Sequence, residues 1–292
     1  MNCLSPLTLK NPRFGALKPN SVEPEPRFFE VPCGKCAACL MSRRRDWIVR
    51  LKKEADASFY SVFVTLTYDD EHLPVSGVSK EDVQAFFARL RDRLKKRYEI
   101  KVRYYLVSEY GPTTYRPHYH ALLFFDGFVP EVADLLLESW QKGYVYIGSV
   151  ESRSIGYCAA YHITKGGYPE NGNKPFVLMS RRPGIGDSYV RNRDVLYYHL
   201  PRLQGFDNKP IFSVPVGEGV HCHMPRFYRD KLFSKKEIEM YKQDLESSFE
   251  NSLYGVKKSD YQNSKDYYRV VDSRIRAYLR YFDKMRIRNK KL

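Results

Sequence analysis

The sequence predicts an α+β fold in which an antiparallel sheet carries helices on one of its faces. Three observations lead to this prediction. Short runs rich in β-branched and aromatic residues, which favour strands, alternate with stretches whose apolar residues recur at helical spacing. The order of these elements along the chain is β-α-β-β-α-β-α. Two of the strands are joined by a short stretch of turn-forming residues, which favours antiparallel pairing.

The elements begin after a proline-rich stretch at 11–32, which predicts an extended and irregular lead-in. A helix is predicted at about 37–56, with Leu40, Trp47 and Leu51 on one side. Residues 59–68 are β-branched and aromatic and predict the first strand.

A second helix is predicted after Ser79, because Asp82 follows this serine by three residues in the manner of a capping box. Its apolar face consists of Val83, Phe86, Phe87, Leu90 and Leu94. Strands at 102–109 and 118–125 come next. The following elements are a helix at about 130–141, a strand at 144–150 and a short helix at about 154–165.

The first six elements match the split βαβ, ferredoxin-like arrangement, in which the second face of the sheet is open for chemistry. Residues 166–233 are rich in glycine and proline and contain short candidate strands. The remainder, 234–250 and 260–290, is predicted to be helical and basic.

Composition indicates a folded protein that binds a polyanion. Of the 292 residues, 43% are hydrophobic, which is too many for a disordered chain. The 49 Lys and Arg exceed the 34 Asp and Glu by 15, which predicts attraction to DNA, RNA or an anionic membrane. The 24 tyrosines and 17 phenylalanines supply rings on which bases stack.

Neither a membrane span nor secretion is expected. The chain has no run of about 18 apolar residues, and its first residues lack the basic and apolar stretches of a secretory signal. Its six cysteines are therefore expected in a reducing compartment, where clustered cysteines bind metal more often than they form disulfides.

His118 and His120 are candidate metal ligands. Alternate side chains share one face of a strand, so both imidazoles point the same way, although a lone His-x-His pair is more often without a metal. Glu109 ends the preceding strand, and antiparallel pairing would bring its carboxylate to the same face unless the register slips by one residue. Two imidazoles and one carboxylate leave positions open for water and phosphate oxygens.

Tyr157 and Tyr161 are candidate nucleophiles. Their spacing places both phenols on one face of the predicted helix, and Lys165 continues that face. Tyrosines at this spacing are most often packing residues, and a phenol with a pKa of about 10 is a poor nucleophile unless it is activated. A metal that polarises a phosphoryl group, together with a nearby cation, would lower the barrier.

The order of these motifs resembles that of the HUH endonuclease superfamily. More closely, the chain is similar to the replication initiation proteins of small single-stranded DNA phages of the gokushovirus type. The resemblance covers roughly residues 1–235. The matching segments are FVTLTY (63–68), RPHYHALLF (116–124), YCAAYHITK (157–165), PCGKCAACLMSRRRDWIVR (32–50), MSRRPGIG (179–186) and MPRFYRDKLF (224–233).

The resemblance implies an RRM-like HUH palm that starts rolling-circle replication. One tyrosine would nick the origin, form a 5′-phosphotyrosine link and leave a 3′-hydroxyl for the host polymerase. A second tyrosine would attack the regenerated origin, and the strand would close into a circle. Tyr157 and Tyr161 match the paired nucleophiles, and His118, His120 and Glu109 match the ligands of Mn²⁺ or Mg²⁺.

Lys165 is the candidate assisting cation, and here the chain departs from the family's pattern. The family's helix often has a basic residue three positions after each tyrosine, where this chain has Ala160 and Thr164. The resemblance also implies single-stranded origin DNA as the substrate and host helicase and polymerase as candidate partners. It implies no membrane and the cytoplasm of a bacterial host as the location.

Two other functions fit parts of the pattern. A relaxase or single-tyrosine transposase of the same superfamily would need only one of the two tyrosines. A non-catalytic zinc-knuckle regulator would bind nucleic acid without forming a covalent adduct.

A cysteine cluster precedes the first helix. Cys33, Cys36 and Cys39 are separated by two residues each, and Cys3 lies upstream. This spacing lets thiolates converge on one ion, and all four would make a closed structural Zn²⁺ site. An iron–sulfur cluster and unliganded thiols are the alternatives, and the His221–His223 segment is a weaker source of ligands.

The candidate DNA contacts are two threonines of the first strand and four arginines of the first helix: Thr65, Thr67, Arg43, Arg44, Arg45 and Arg50. A solvated helix face explains the arginines equally well. The predicted organisation is a cysteine-rich segment with a basic helix (1–58), a nicking core (59–166), an irregular extension packed on the core (167–233) and a basic helical region (234–292).

Overall fold

The structure is a computed structural model that describes residues 3–15, 27–161, 168–204, 210–241, 261 and 263–289. The chain divides into two units. The first unit is Met1–Arg44 with Ser247–Met285, and the second is Arg45–Glu246 with Arg286–Leu292.

A hairpin near the N-terminus was not predicted. Strand β1 (Leu7–Lys10) pairs antiparallel with β2 (Phe28–Val31), and Leu7 lies opposite Val31. Each strand has four residues and is largely exposed, so neither shows the alternation of buried and exposed residues on which strand prediction depends. The sequence predicted an irregular lead-in over the stretch that contains β2.

The predicted order β-α-β-β-α-β-α is confirmed. After helix α1 (Ala37–Ala57), the elements are β3 (Tyr60–Tyr68), α2 (Lys80–Tyr98), β4 (Val102–Tyr110), β5 (Pro117–Phe125), α3 (Val132–Trp140), β6 (Gly143–Ser149) and α4 (Ser152–Ala160). Helix α4 is shorter than predicted. It ends before Tyr161, and residues 162–167 lie outside the described residues.

These strands form an antiparallel sheet in the order β6-β3-β5-β4, and β7 (Val177–Met179) pairs with the free edge of β4. Strand β5 lies between β3 and β4, as the split βαβ arrangement requires. The predicted α+β fold is thereby confirmed.

Helices α2 and α3 pack on one face of the sheet. The Ser79 hydroxyl caps α2 by accepting a hydrogen bond from the backbone N–H of Asp82 (3.1 Å). The predicted apolar face is buried at Val83, Phe86, Phe87, Leu90 and Leu94. Full burial of a side chain of this size contributes roughly 1.5–3 kcal/mol, so these five residues hold α2 against the sheet.

Helices α1 and α4 cover part of the opposite face, which the sequence analysis expected to be open. Leu51 of α1 and Ile155 of α4 are buried in one cluster with Tyr105, Val107 and Leu122 of the sheet. The expectation is corrected for a physical reason. Strands β4 and β5 contain consecutive apolar residues, so both of their faces are apolar and both must be covered.

The extension after the core has its own small apolar cluster, which includes Tyr189, Val214 and Tyr228. Its elements are α5 (Arg193–His199), β8 (Ser213–Gly217), β9 (Val220–His223) and α6 (Arg226–Leu232). Residues 235–241 are helical, and the C-terminal helix spans Ser264–Asn289. Among the described helices, none combines the length and apolar character needed to cross a membrane.

Candidate functional site

The register of β4 and β5 brings the predicted metal ligands together. Glu109 lies directly opposite His118, and His120 is two residues further along the same face of β5. One ligand atom from each of the three side chains lies within 4.8 Å of those of the other two. The register that the sequence left open therefore places the carboxylate beside both imidazoles.

Hydrogen bonds orient both imidazole rings. Nδ1–H of His118 donates to the carbonyl oxygen of Arg116 (3.3 Å), and Nδ1 of His120 lies 2.9 Å from the Thr65 hydroxyl. With hydrogen on both Nδ1 atoms, each Nε2 keeps its lone pair and faces the cluster. Nε2 of His118 is 3.9 Å from Oε2 of Glu109. Such outer partners fix the tautomer of metal-binding histidines.

Burial keeps the His120 ring neutral. Burial, and after it the neighbouring His118, lowers the pKa of His120 to about 3. The Phe63 ring is stacked on His120 with a centroid separation of 5.6 Å. A neutral imidazole is the form that binds a metal ion, so this environment suits a ligand.

Tyr157 of α4 contacts the cluster. Its hydroxyl donates a 2.6 Å hydrogen bond to Oε2 of Glu109 and lies 3.4 Å from Nε2 of His120. Burial, and then the negative charge of Glu109, raises the pKa of Tyr157 above its ordinary value. The phenol is therefore protonated, and its proton points at a carboxylate.

Tyr161 lies one helical turn beyond Tyr157, at the C-terminal cap of α4. Burial, and then the charge of Glu109, raises its pKa to about 12. Both tyrosines pack against the apolar cluster formed by α1, α4 and the sheet. Lys165 lies outside the described residues.

A cavity of about 260 Å³ adjoins Tyr157 and His120. Its lining includes Phe63 and Arg153, which sequence reasoning missed. Arg153 precedes Tyr157 by four residues on α4, and Phe63 precedes Thr65 by two on β3. The same helical and strand periodicities that found the tyrosines and histidines could have found both.

Comparison with known proteins bears on the role of this site. Residues 61–166, which include every residue of the candidate site, match a family described as replication-associated protein ORF2. Over 226 residues the chain is 30% identical to the replication-associated protein ORF2 of Spiroplasma virus 4, which covers 70% of each chain. The chain belongs to this family of phage replication-associated proteins.

Two further relatives carry related names. This replication-associated protein is 26% identical over 290 residues to the replication-associated protein VP4 of Bdellovibrio phage phiMH2K, covering 91% of this chain and 87% of that protein. It is 29% identical over 232 residues to the replication-associated protein ORF4 of Chlamydia phage 1, covering 70% and 54%. The predicted kinship with replication proteins of small phages is confirmed. No solved structure matches the chain.

The predicted DNA contacts of this replication-associated protein have varied surroundings. Arg43 is exposed. Arg50 is packed over the rings of Trp47 (4.2 Å) and Phe227 (3.9 Å), and its Nε donates to the carbonyl oxygen of Ile185 (3.0 Å). These contacts give Arg50 a structural task.

Arg44 and Arg45 are half-buried and make contacts within the fold. Thr65 orients His120, and Thr67 lies opposite His118 on the neighbouring strand. The role of these residues in binding DNA remains a prediction.

The four predicted zinc ligands, Cys3, Cys33, Cys36 and Cys39, are also brought together in this replication-associated protein, with their sulfur atoms within 4.8 Å of one another. His221 lies on β9, where its Nδ1 is 3.3 Å from the Ser213 hydroxyl. Among the described residues, the weaker candidates at 221–223 belong to neither of the two groups that could hold a metal.

Proposed function

We propose that this protein is a replication initiator that nicks single-stranded DNA at the viral origin through a 5′-phosphotyrosine intermediate and rejoins the ends. The contact of Tyr157 with the carboxylate–histidine cluster carries the proposal. The hydroxyl is 2.6 Å from Glu109 and 3.4 Å from His120. Covalent phosphoryl transfer needs a nucleophile within reach of a proton acceptor and of groups that can hold a metal.

Glu109, His118 and His120 would hold Mn²⁺ or Mg²⁺. Their donor set fits a divalent ion, because two imidazole nitrogens with free lone pairs and one carboxylate oxygen converge within 4.8 Å. When bound, the ion would act as a Lewis acid that polarises the scissile phosphate. The family membership and the position of all three residues within the matched segment support this assignment.

Tyr157 is the proposed first nucleophile, since its hydroxyl is the one in contact with the cluster. Its oxygen attacks phosphorus while the phenolic proton passes to Glu109, which already accepts the hydrogen bond. A bond forms between phosphorus and the tyrosine oxygen, and the bond from phosphorus to the 3′-oxygen breaks. The leaving 3′-oxygen takes a proton from water or from Lys165.

Tyr161 is the proposed second nucleophile. Its place one helical turn after Tyr157 puts both phenols on the same helix face. After a round of synthesis from the free 3′-hydroxyl, Tyr161 attacks the regenerated origin. The released 3′-hydroxyl then attacks the first phosphotyrosine, which frees Tyr157 and closes the circle.

The substrate is single-stranded origin DNA, and the net charge of +15 supports its binding. Host helicase and polymerase are the proposed partners, because the chemistry exposes a primer end that must be unwound and extended. The site of action is the cytoplasm of the bacterial host.

A covalent-adduct experiment tests the proposal. The protein is incubated with end-labelled single-stranded origin DNA and Mn²⁺ or Mg²⁺, and the products are separated on a denaturing gel. We expect a retarded species that disappears with EDTA and in His118→Ala. Binding without an adduct across candidate origins would favour the regulator.

Tyrosine variants separate the two-tyrosine scheme from a single-tyrosine enzyme. Tyr157→Phe should abolish the first adduct, and Tyr161→Phe should form the adduct but fail to complete cleavage and joining. Tyr144→Phe is the matched control, because this tyrosine is exposed on β6. Complete cycles by either variant at the wild-type rate would exclude the scheme.

A further inference from the structure

The cysteine cluster is built from parts of the chain that are distant in sequence. Cys3 precedes β1, Cys33 follows β2, and Cys36 and Cys39 lie at the start of α1. The pairing of β1 with β2 sets Leu7 opposite Val31, so Cys3 and Cys33 emerge at the same end of the hairpin. The backbone N–H of Cys33 donates to Sγ of Cys3 (3.3 Å).

Backbone N–H groups point at the other sulfur atoms too. Sγ of Cys33 accepts from the N–H groups of Lys35 (3.5 Å) and Cys36 (3.3 Å), and Sγ of Cys36 accepts from Leu4 (3.4 Å). Donors aimed at sulfur stabilise thiolates more than neutral thiols, because hydrogen bonds to a charged acceptor are stronger. A residue with a positive φ (72°), Gly34, makes the turn that aims these groups.

We propose that Cys3, Cys33, Cys36 and Cys39 bind one structural Zn²⁺ ion. Four thiolates within 4.8 Å of one another would repel unless a cation lay between them. A Zn–S bond of about 2.3 Å places the corners of a regular tetrahedron about 3.8 Å apart. The Sγ atoms of Cys3 and Cys36 are 3.7 Å apart.

This spacing excludes the two alternatives to a single ion. A disulfide would hold its sulfur atoms about 2 Å apart, and all six cysteines are free. An iron–sulfur cluster inserts several iron and sulfide atoms between the thiolates and spreads them further than one ion does. The set of four protein ligands is closed, so the ion has no open position for a substrate.

The ion has a task that the hairpin cannot perform for itself. Leu7, Leu9 and Phe28 expose 50%, 44% and 51% of their surface, so β1 and β2 bury little apolar area. A two-stranded ribbon is marginally stable alone. By joining the residue before β1 to the start of α1, the ion holds the hairpin in place, independently of the proposed nicking reaction.

Metal analysis of the purified full-length chain tests the site. We expect about one zinc per chain by elemental analysis, released when a mercurial modifies the thiols. Cys36→Ser and Cys3→Ser should lose the zinc, whereas Cys222→Ser, which replaces a half-buried thiol on β9, and His118→Ala should keep it. Stoichiometric iron, or zinc that is lost in His118→Ala and kept in the cysteine variants, would overturn the proposal.

A second measurement needs no variant. Replacement of zinc by Co²⁺ in the wild-type chain should produce the intense thiolate-to-metal absorption and visible bands of tetrahedral four-sulfur coordination. The spectrum of an octahedral oxygen site, or no spectrum, would contradict the assignment even if the cysteine variants failed to fold.

Discussion

Glu109 and Tyr157 are joined by a 2.6 Å hydrogen bond, although they lie on β4 and α4 and are 48 residues apart in sequence. The same carboxylate lies 3.9 Å from Nε2 of His118. One side chain therefore serves both the ligand cluster and the nucleophile. The charge of Glu109 also contributes to the raised pKa values of Tyr157 and Tyr161, after burial.

Replacement of this carboxylate should impair adduct formation. Glu109→Gln keeps the side-chain shape but removes the charge that attracts a cation and accepts the phenolic proton. We expect the Mn²⁺ concentration needed for half-maximal adduct to rise by at least roughly 10- to 100-fold, the loss typical of weaker, outer-partner changes. Glu131→Gln, at an exposed position before α3, should behave as wild type. An unchanged Mn²⁺ requirement would remove Glu109 from the site.

Thr65 should matter through His120. Thr65→Val removes the hydroxyl that lies 2.9 Å from Nδ1 and frees the ring to rotate. The affinity for Mn²⁺, measured by calorimetry, should fall by roughly 10- to 100-fold. Thr67→Val is a matched change two residues along the same strand face, and it should leave the affinity for the ion unchanged. Equal effects of both changes would show that the hydrogen bond does not orient the ring.

The buried Glu54 carboxylate should stabilise the packing of α1 against the loop at 183–186. It is ion-paired with Arg103 and accepts a hydrogen bond from the N–H of Gly186 (2.5 Å), while Arg103 also donates to Gly184 (2.9 Å). Glu54→Ala leaves these donors unpaired and should lower the free energy of unfolding by about 3–5 kcal/mol in urea titrations.

A control for this variant lies on the same helix. Asp56 makes exposed ion pairs with Lys52 and Lys53. Its replacement by alanine should change the free energy of unfolding by about 0–1 kcal/mol. If the two variants lost the same stability, burial of Glu54 would not be the deciding factor.

Asp187 should make the stability depend on pH in acid. Burial acts to raise its pKa, but hydrogen bonds from Lys231 and Arg191 outweigh burial and lower the pKa below its ordinary value. The folded state therefore binds this proton less readily than the unfolded state. The stabilisation is fully present above the unfolded pKa of about 3.9 and is lost as pH falls through the lower folded pKa.

Asp187→Asn cannot titrate and is the variant that isolates this effect. The free energy of unfolding should fall more steeply below about pH 4 in wild type than in the variant. The two should keep a constant difference near neutral pH. Parallel curves throughout the acid range, measured by urea titration at each pH, would assign the acid sensitivity to other groups.

Local patterns predicted the elements of the core because each element carries its own period. The five apolar residues of α2 repeat at helical spacing, and His118 and His120 alternate along β5. The hairpin of β1 and β2 was not predicted, because its strands are short and exposed. The cover that α1 and α4 provide was also missed, since a run of apolar residues does not tell which element packs on which face.

The sequence by itself determined the order of the core elements, the pairing of the two histidines on one face and the pairing of the two tyrosines on one helix. These depend on backbone periods that extend over a few residues. Only the tertiary structure decided that Glu109 lies opposite His118, that Tyr157 reaches Glu109 and that Cys3 joins the cysteines at α1. Such contacts depend on strand register and on the packing of elements distant in sequence, which no local period specifies.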